Sequence, residues 1–282
     1  YNFDSLHNRR NKNGGEYDVN KVNELLSEGA TSYVYDKCGN LIEKKSPLAS
    51  IQYSYDALNR LHIVKDGNTL AKYTYDSNNR RMDKQLWKDG ALISSLRFIY
   101  LGENEIGAVD DSEKVVELRL LGESSIVKQE RAVALELYDK VYIPLHDCRG
   151  SISALINTST GDVEERYYYS AFGEEKAFDA TNHEIPNSII GNFWRYSGKR
   201  IDEETGLLYF GQRYYNQQVG RWLTCDPAGY VDGPNLYAYV ANRPLLYFDP
   251  YGLFSVNPVL HKQYSLLSKN VKGMGQKDLS RI

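Results

Sequence analysis

Two Asp-Pro pairs, Asp226-Pro227 and Asp249-Pro250, stand near the end of the 282-residue chain, with an aromatic-rich segment between them. Two carboxylates forced close together cannot both ionise, so they share a proton. One can then take a proton from water while the other polarises a carbonyl, which is the chemistry of peptide-bond hydrolysis. A guanidinium beside them can hold one carboxylate ionised or steady a developing oxyanion. Asp-Pro is also a common turn opener, and spacing alone favours that plainer reading. The nearby acids Asp202, Glu204 and Asp232 read as turn or surface groups. His146-Asp147-Cys148 suggests a Cys/His nucleophile, but neighbouring side chains on a strand point to opposite faces, so a turn with a polar cluster is the better reading.

Composition narrows the setting for these acids. A net charge of −3 gives no electrostatic case for nucleic acid or an anionic membrane surface. No apolar run is long enough to span a bilayer. The chain opens on Tyr1 without a signal-like segment and reads as a piece of a longer polypeptide. Three cysteines without C-x-x-C spacing indicate neither a disulfide framework nor a zinc site, and buried free thiols are expected. No cofactor or metal is expected. The 24 tyrosines fit half-buried strand faces, with rings packed and hydroxyls in water.

The elements that must position the acids are strands. Tyr33-Val34-Tyr35-Asp36, Tyr53-Ser54-Tyr55-Asp56 and Tyr73-Thr74-Tyr75-Asp76 recur every twenty residues, each followed by a turn-forming cluster. Tyr1-Asn2-Phe3-Asp4 is a fourth copy and Phe98-Ile99-Tyr100 a degenerate fifth. The paired aromatics lie two residues apart and so point to one face of a strand. Asp starts a turn, a second alternating segment follows, and Lys65-Asp66-Gly67-Asn68 closes a hairpin with Gly where φ is positive. One such repeat cannot bury its aromatic face alone, so neighbours must stack and the sheet must curl.

These residues carry a resemblance. Tyr-x-Tyr-Asp followed by Gly-Asn or Asn-Arg resembles the YD repeat of Rhs proteins, teneurins and the C components of bacterial ABC toxins. His146-Asp147 through Gly150-Ser151, and Tyr167 through Phe172-Gly173-Glu174, resemble segments before the end of an Rhs core, although His146 and Asp147 are adjacent here. From Trp194 through Gly220-Arg221-Trp222-Leu223 to Asp249-Pro250-Tyr251-Gly252-Leu253, the chain is similar to the Rhs core-associated domain. The resemblance implies an all-β ribbon of hairpins that spirals into a hollow shell, of which this chain is a fragment. It also implies self-cleavage by an aspartic-protease-like mechanism, with Asp226, Asp249 and Arg213 as the catalytic set and the cut between Leu253 and Phe254. Such a site acts once, in cis, and Asp249 lies close enough in sequence for a large proximity advantage. Arg221 is a rival for Arg213, but its place beside Trp222 suggests cation–π packing.

The expected organisation is a shell over 1–192, a core-associated autoproteolytic domain over 193–253, and the start of a variable effector or tail over 254–282. In the middle, Val115–Gly122 and Ala132–Tyr138 read as strands, with helical turns over Gln129–Leu137 as the alternative. Residues 175–192 read as a polar loop around Pro186. Beyond Leu253 the tyrosine pattern ends, and Lys262, Lys269, Lys272, Lys277 and Arg281 outnumber Asp278, as in a solvated tail. Expected partners are the chain's own C-terminal effector segment and toxin-complex or secretion-system components, with nucleic acid only through the effector. The expected location is secreted or at the cell surface. The alternative is a non-catalytic YD-repeat module for adhesion or for binding glycan or protein.

Overall fold

A computed structural model describes residues 1–122 and 131–257. Among these residues there is no α-helix, and so no helix long and apolar enough to cross a membrane. Nineteen strands, β1 (Asn2–Phe3) to β19 (Glu184–Ile185), form one sheet in which each strand pairs antiparallel with the next. The sheet is open, since β1 and β19 do not pair with each other. A second antiparallel sheet follows: β20 (Arg200–Asp202), β21 (Leu207–Tyr209), β22 (Tyr214–Asn216) and β23 (Arg221–Trp222).

The repeat explains the large sheet turn by turn. In strands β5 (Thr31–Tyr35), β7 (Ser50–Tyr55) and β9 (Thr69–Tyr75), Tyr33, Tyr53 and Tyr73 are buried, and the residue after each is not. The aspartate then gathers backbone donors. Asp56 Oδ1 accepts the N–H groups of Leu58 (2.9 Å) and Arg60 (3.0 Å), and Asp36 and Asp76 repeat the pattern. Asp4, Asp110, Asp147 and Asp179 build the same turn in less regular copies. Successive turns are also laced together, since Asn40 donates to Asn59 Oδ1 and Arg60 to Asn79 Oδ1. Gly67, at φ +54°, allows the tight link between β8 (Leu61–Asp66) and β9.

Several expectations change. The second tyrosine of each pair does not keep its hydroxyl in water. Tyr55 donates to the Leu41 carbonyl, Tyr75 to Leu61, Tyr100 to Arg81 and Tyr169 to Ile152, so each hydroxyl ties one hairpin to the previous one. Residues 175–192 are not a plain loop. β18 (Glu175–Asp179) and β19 form a hairpin, and buried Glu165 accepts the N–H groups of Ile189 and Ile190 behind it. Ala132–Leu137 is strand β14 rather than helix, while Gln129 lies outside the described residues. Cys38 and Cys148 are exposed free thiols and only Cys225 is partly covered, because the first two sit in turns.

The second sheet packs on the tyrosine face. Tyr33, Tyr53 and Tyr73 share one core with Leu207, Tyr209, Tyr214 and Leu223. The Leu41 N–H donates to the Leu223 carbonyl (3.0 Å). Asp202 is not a surface acid. It is fully buried and bridges Arg81 (2.6 Å) and Lys84 (3.0 Å) on β10 (Arg81–Lys88), which holds its carboxyl down at about 2 against the opposing effect of burial. Lys84 also reaches Glu204 (2.8 Å), whose side chain is largely covered.

Candidate active site

The site starts from the link between β21 and β22. Phe210 N–H donates to the Arg213 carbonyl, a tight turn that aims the Arg213 side chain back under the second sheet. Its guanidinium carbon lies 4.2 Å from the Trp222 ring centre, so an aromatic face supports a buried cation. Arg213 rather than Arg221, the sequence neighbour of Trp222, takes that place. Arg221 instead lies over Tyr237 and bonds Asn8 and the Asn23 carbonyl, because alternate residues of β23 face opposite ways.

Asp226 and Asp249 both come to Arg213. Arg213 Nη2 is 2.7 Å from Asp226 Oδ2 and 3.5 Å from Asp249 Oδ2, with all three side chains almost fully buried. Arg213 Nη1 donates to the Leu236 carbonyl (3.1 Å) and Nε to the Gly252 carbonyl (2.6 Å). The two aspartates are also turn residues, as their spacing suggested. Asp226 Oδ1 accepts the Ala228 N–H (2.8 Å). Asp249 Oδ1 accepts the N–H groups of Tyr251 (3.1 Å), Gly252 (2.7 Å) and Leu253 (3.1 Å). In each acid one oxygen builds the turn and the other meets the guanidinium.

Burial sets the electrostatics. It raises the carboxyl pKa of Asp226 and of Asp249 above the usual value, with Arg213 pulling each back down. Burial lowers the Arg213 pKa, and the two carboxylates oppose this. One cation thus faces two covered carboxylates, each with a raised pKa.

The segment beyond Leu253 is held as well. Phe248 and Val256 pair in both directions (3.1 and 2.8 Å), so residues 248–256 form a closed loop around the Leu253–Phe254 link. Asp232 Oδ2 accepts the Ser255 N–H (2.6 Å) and hydroxyl (2.8 Å). Phe254 itself is 43 % exposed. His146 and Cys148 are not a catalytic pair. His146 bonds the backbone carbonyls of Ala132 and Gly150, and Asp147 caps its own turn. Among the described residues no group of His, Cys, Asp or Glu is arranged to hold a metal ion.

The teneurin YD-shell family model matches residues 1–245. The chain belongs to that family. This YD-shell chain is 31% identical over 230 residues to toxin subunit YenC1 of Yersinia entomophaga, covering 76% of the chain and 23% of that protein. It is 29% identical over 269 residues to the tRNA nuclease WapA of Bacillus subtilis, covering 89% of the chain and 11% of WapA. The chain thus spans about a quarter or less of these relatives. The TcdB2-TccC3-Cdc42 crystal structure shares the fold, with a TM-score of 0.54 at 21% identity over 89% of this chain and 16% of that one.

Sequence reasoning overlooked several parts of the YD-shell site: Trp222 as the floor under Arg213, the Leu236 carbonyl, and Asp232 as an anchor for Ser255. No local spacing marks them. Only the packing of distant segments brings them together.

Proposed function

We propose that this YD-shell chain encloses the polypeptide that follows it and cuts itself once between Leu253 and Phe254. The observation that carries this reading is the convergence on one guanidinium. Arg213 meets both Asp226 and Asp249 and also holds the Gly252 carbonyl, one residue before the proposed break. In the proposed step one carboxylate takes a proton from water. The water oxygen bonds to the Leu253 carbonyl carbon, and the Arg213 guanidinium balances the charge that develops. The carbon–nitrogen bond then breaks, and the Phe254 nitrogen receives the proton of the other carboxyl. The pair ends with one proton on the opposite carboxylate, so no outside base is consumed. The loop closed by Phe248 and Val256 keeps the scissile bond and Asp249 within one short segment, so the acid acts on its own chain.

Under this reading 1–192 is the shell wall, 193–253 the autoproteolytic domain, and 254–282 the start of the effector. Residues 258–282, with their basic side chains, lie outside the described residues. The names of the relatives, a toxin subunit and a tRNA nuclease, support a toxic polypeptide as the cargo and a secreted or cell-surface setting within a toxin or secretion assembly.

The test is expression of the wild type beside Asp226→Asn and Asp249→Asn. The wild type should be recovered in two pieces. Each variant should be slowed on the order of a hundredfold or more, as for loss of an acid–base group. A wild type that stays whole would favour the adhesion-module alternative. Cleavage of an added peptide would show action in trans, which a closed cis loop does not predict.

A further inference from the structure

The backbone just before the proposed cut is held from two sides. Asp249 collects the N–H groups of Tyr251, Gly252 and Leu253. From the residues just before β20 and β22, three consecutive carbonyls are met in turn. Lys199 Nζ donates to Pro250, the Gln212 N–H to Tyr251 (3.0 Å), and Arg213 Nε to Gly252. The next carbonyl along the chain is that of Leu253, the proposed scissile one. A cavity of about 270 Å³ borders Lys199, Tyr251 and Leu253, with room for several waters. Lys199 also lies 5.5 Å from the Phe210 ring centre and 5.6 Å from that of Tyr251, so its ammonium is enclosed by aromatic faces.

We infer that Lys199 is a positioning residue for the self-cleavage proposed above, fixing the Pro250 carbonyl and with it the turn that carries Leu253. The inference rests on that reading. Even a half-buried ammonium costs more to desolvate than a neutral amide donor, so a lysine is a poor choice for satisfying one carbonyl in a merely structural turn. Of the three anchors, one is a main-chain N–H and one belongs to Arg213. Lys199 is the side chain that touches the turn without touching either aspartate.

The charge on Lys199 is tunable near neutral pH. Burial, helped by Arg119 and opposed by Asp249 and Glu105, lowers its pKa to about 8. Below that value Lys199 is cationic, and above it the amine is neutral and a weaker donor. Arginine at the same place would stay charged throughout.

The test uses the full 282-residue chain made by cell-free translation, with synthesis stopped and the cut fraction followed by intact mass on either side of pH 8. Lys199→Met should cut on the order of tenfold to a hundredfold more slowly than wild type while melting as one folded species. Lys199→Arg should recover most of the rate and lose the fall in rate expected of wild type above pH 8. A Met variant that cuts at the wild-type rate overturns the inference. So does an Arg variant as slow as Met with its fold intact, which would mean packing alone. Should the Met variant not fold, Lys199→Gln decides, since wild-type speed at both pH values with a neutral amide would equally overturn it. A wild type that never cuts refutes the cleavage reading itself, a different outcome from any of these.

Discussion

Asp249 does two things with one carboxylate. Oδ1 holds three backbone N–H groups and Oδ2 faces Arg213. The two roles separate by substitution. Asp249→Asn keeps an oxygen for the turn and loses the acid, so it should fold as wild type and stay uncut. Asp249→Ala also leaves three buried or half-buried donors without their acceptor, and should lose about 1–3 kcal/mol in urea unfolding besides. Gly252 has φ +78°, and a Cβ there would sit 3.1 Å from the Arg213 backbone nitrogen. Gly252→Ala should therefore displace the turn and slow cutting. A variant that cuts normally would show that the turn tolerates the shift. The sequence made Asp226 and Asp249 visible because Asp-Pro pairs stand out, and it carried both readings, turn and acid, without ranking them by geometry. It hid Asp202, whose partners Arg81 and Lys84 lie more than a hundred residues earlier. No local pattern announces an ion pair of that separation.

At the scale of the element, the YD turn is the recurring unit. Asp56 accepts two backbone N–H groups and also pairs with Arg60 (2.7 Å). Asp56→Ala should cost about 1–3 kcal/mol of stability, while Asp56→Asn, which retains the turn acceptor, should cost less. Thermal melts of the two variants measure the difference, and equal losses would assign the effect to the Arg60 pair. Tyr75→Phe removes the hydroxyl that donates to the Leu61 carbonyl (2.6 Å) and should cost roughly 1 kcal/mol. The twenty-residue spacing made these hairpins legible, since Tyr, Asp and the turn cluster all lie within a few residues of each other. The β18–β19 hairpin was not, because its polar sequence lacks the tyrosine pair. Its stability draws on Glu165 from the preceding strand, β17 (Val163–Tyr169), which reaches across to Ile189 and Ile190.

At the scale of the whole molecule, the wall and the second sheet are joined by a tyrosine core and by Asp202 with Arg81 and Lys84. Asp202→Asn leaves buried Arg81 without its carboxylate and Lys84 with Glu204 alone, and should cost about 3 kcal/mol or more. The pH dependence has a definite sign. The folded Asp202 pKa, about 2, lies below its usual 3.8. Its contribution is complete above 3.8 and is lost as pH falls toward 2. Wild type should therefore shed stability through that acid range more steeply than Asp202→Asn. That the chain folds as an open ribbon of hairpins was readable from the repeat. That its last strands turn back onto the tyrosine face was not, because short strands such as Arg200–Asp202 and Arg221–Trp222 are too brief for periodicity to reveal. The packed-back segment either cuts the chain or only closes the wall. Intact mass spectrometry of the wild type, expressed near neutral pH, tests this directly. The predicted result is a fragment ending at Leu253 and a second beginning at Phe254. A single uncut chain, or breaks only after Asp226 or Asp249 at the acid-labile Asp-Pro bonds, would contradict it.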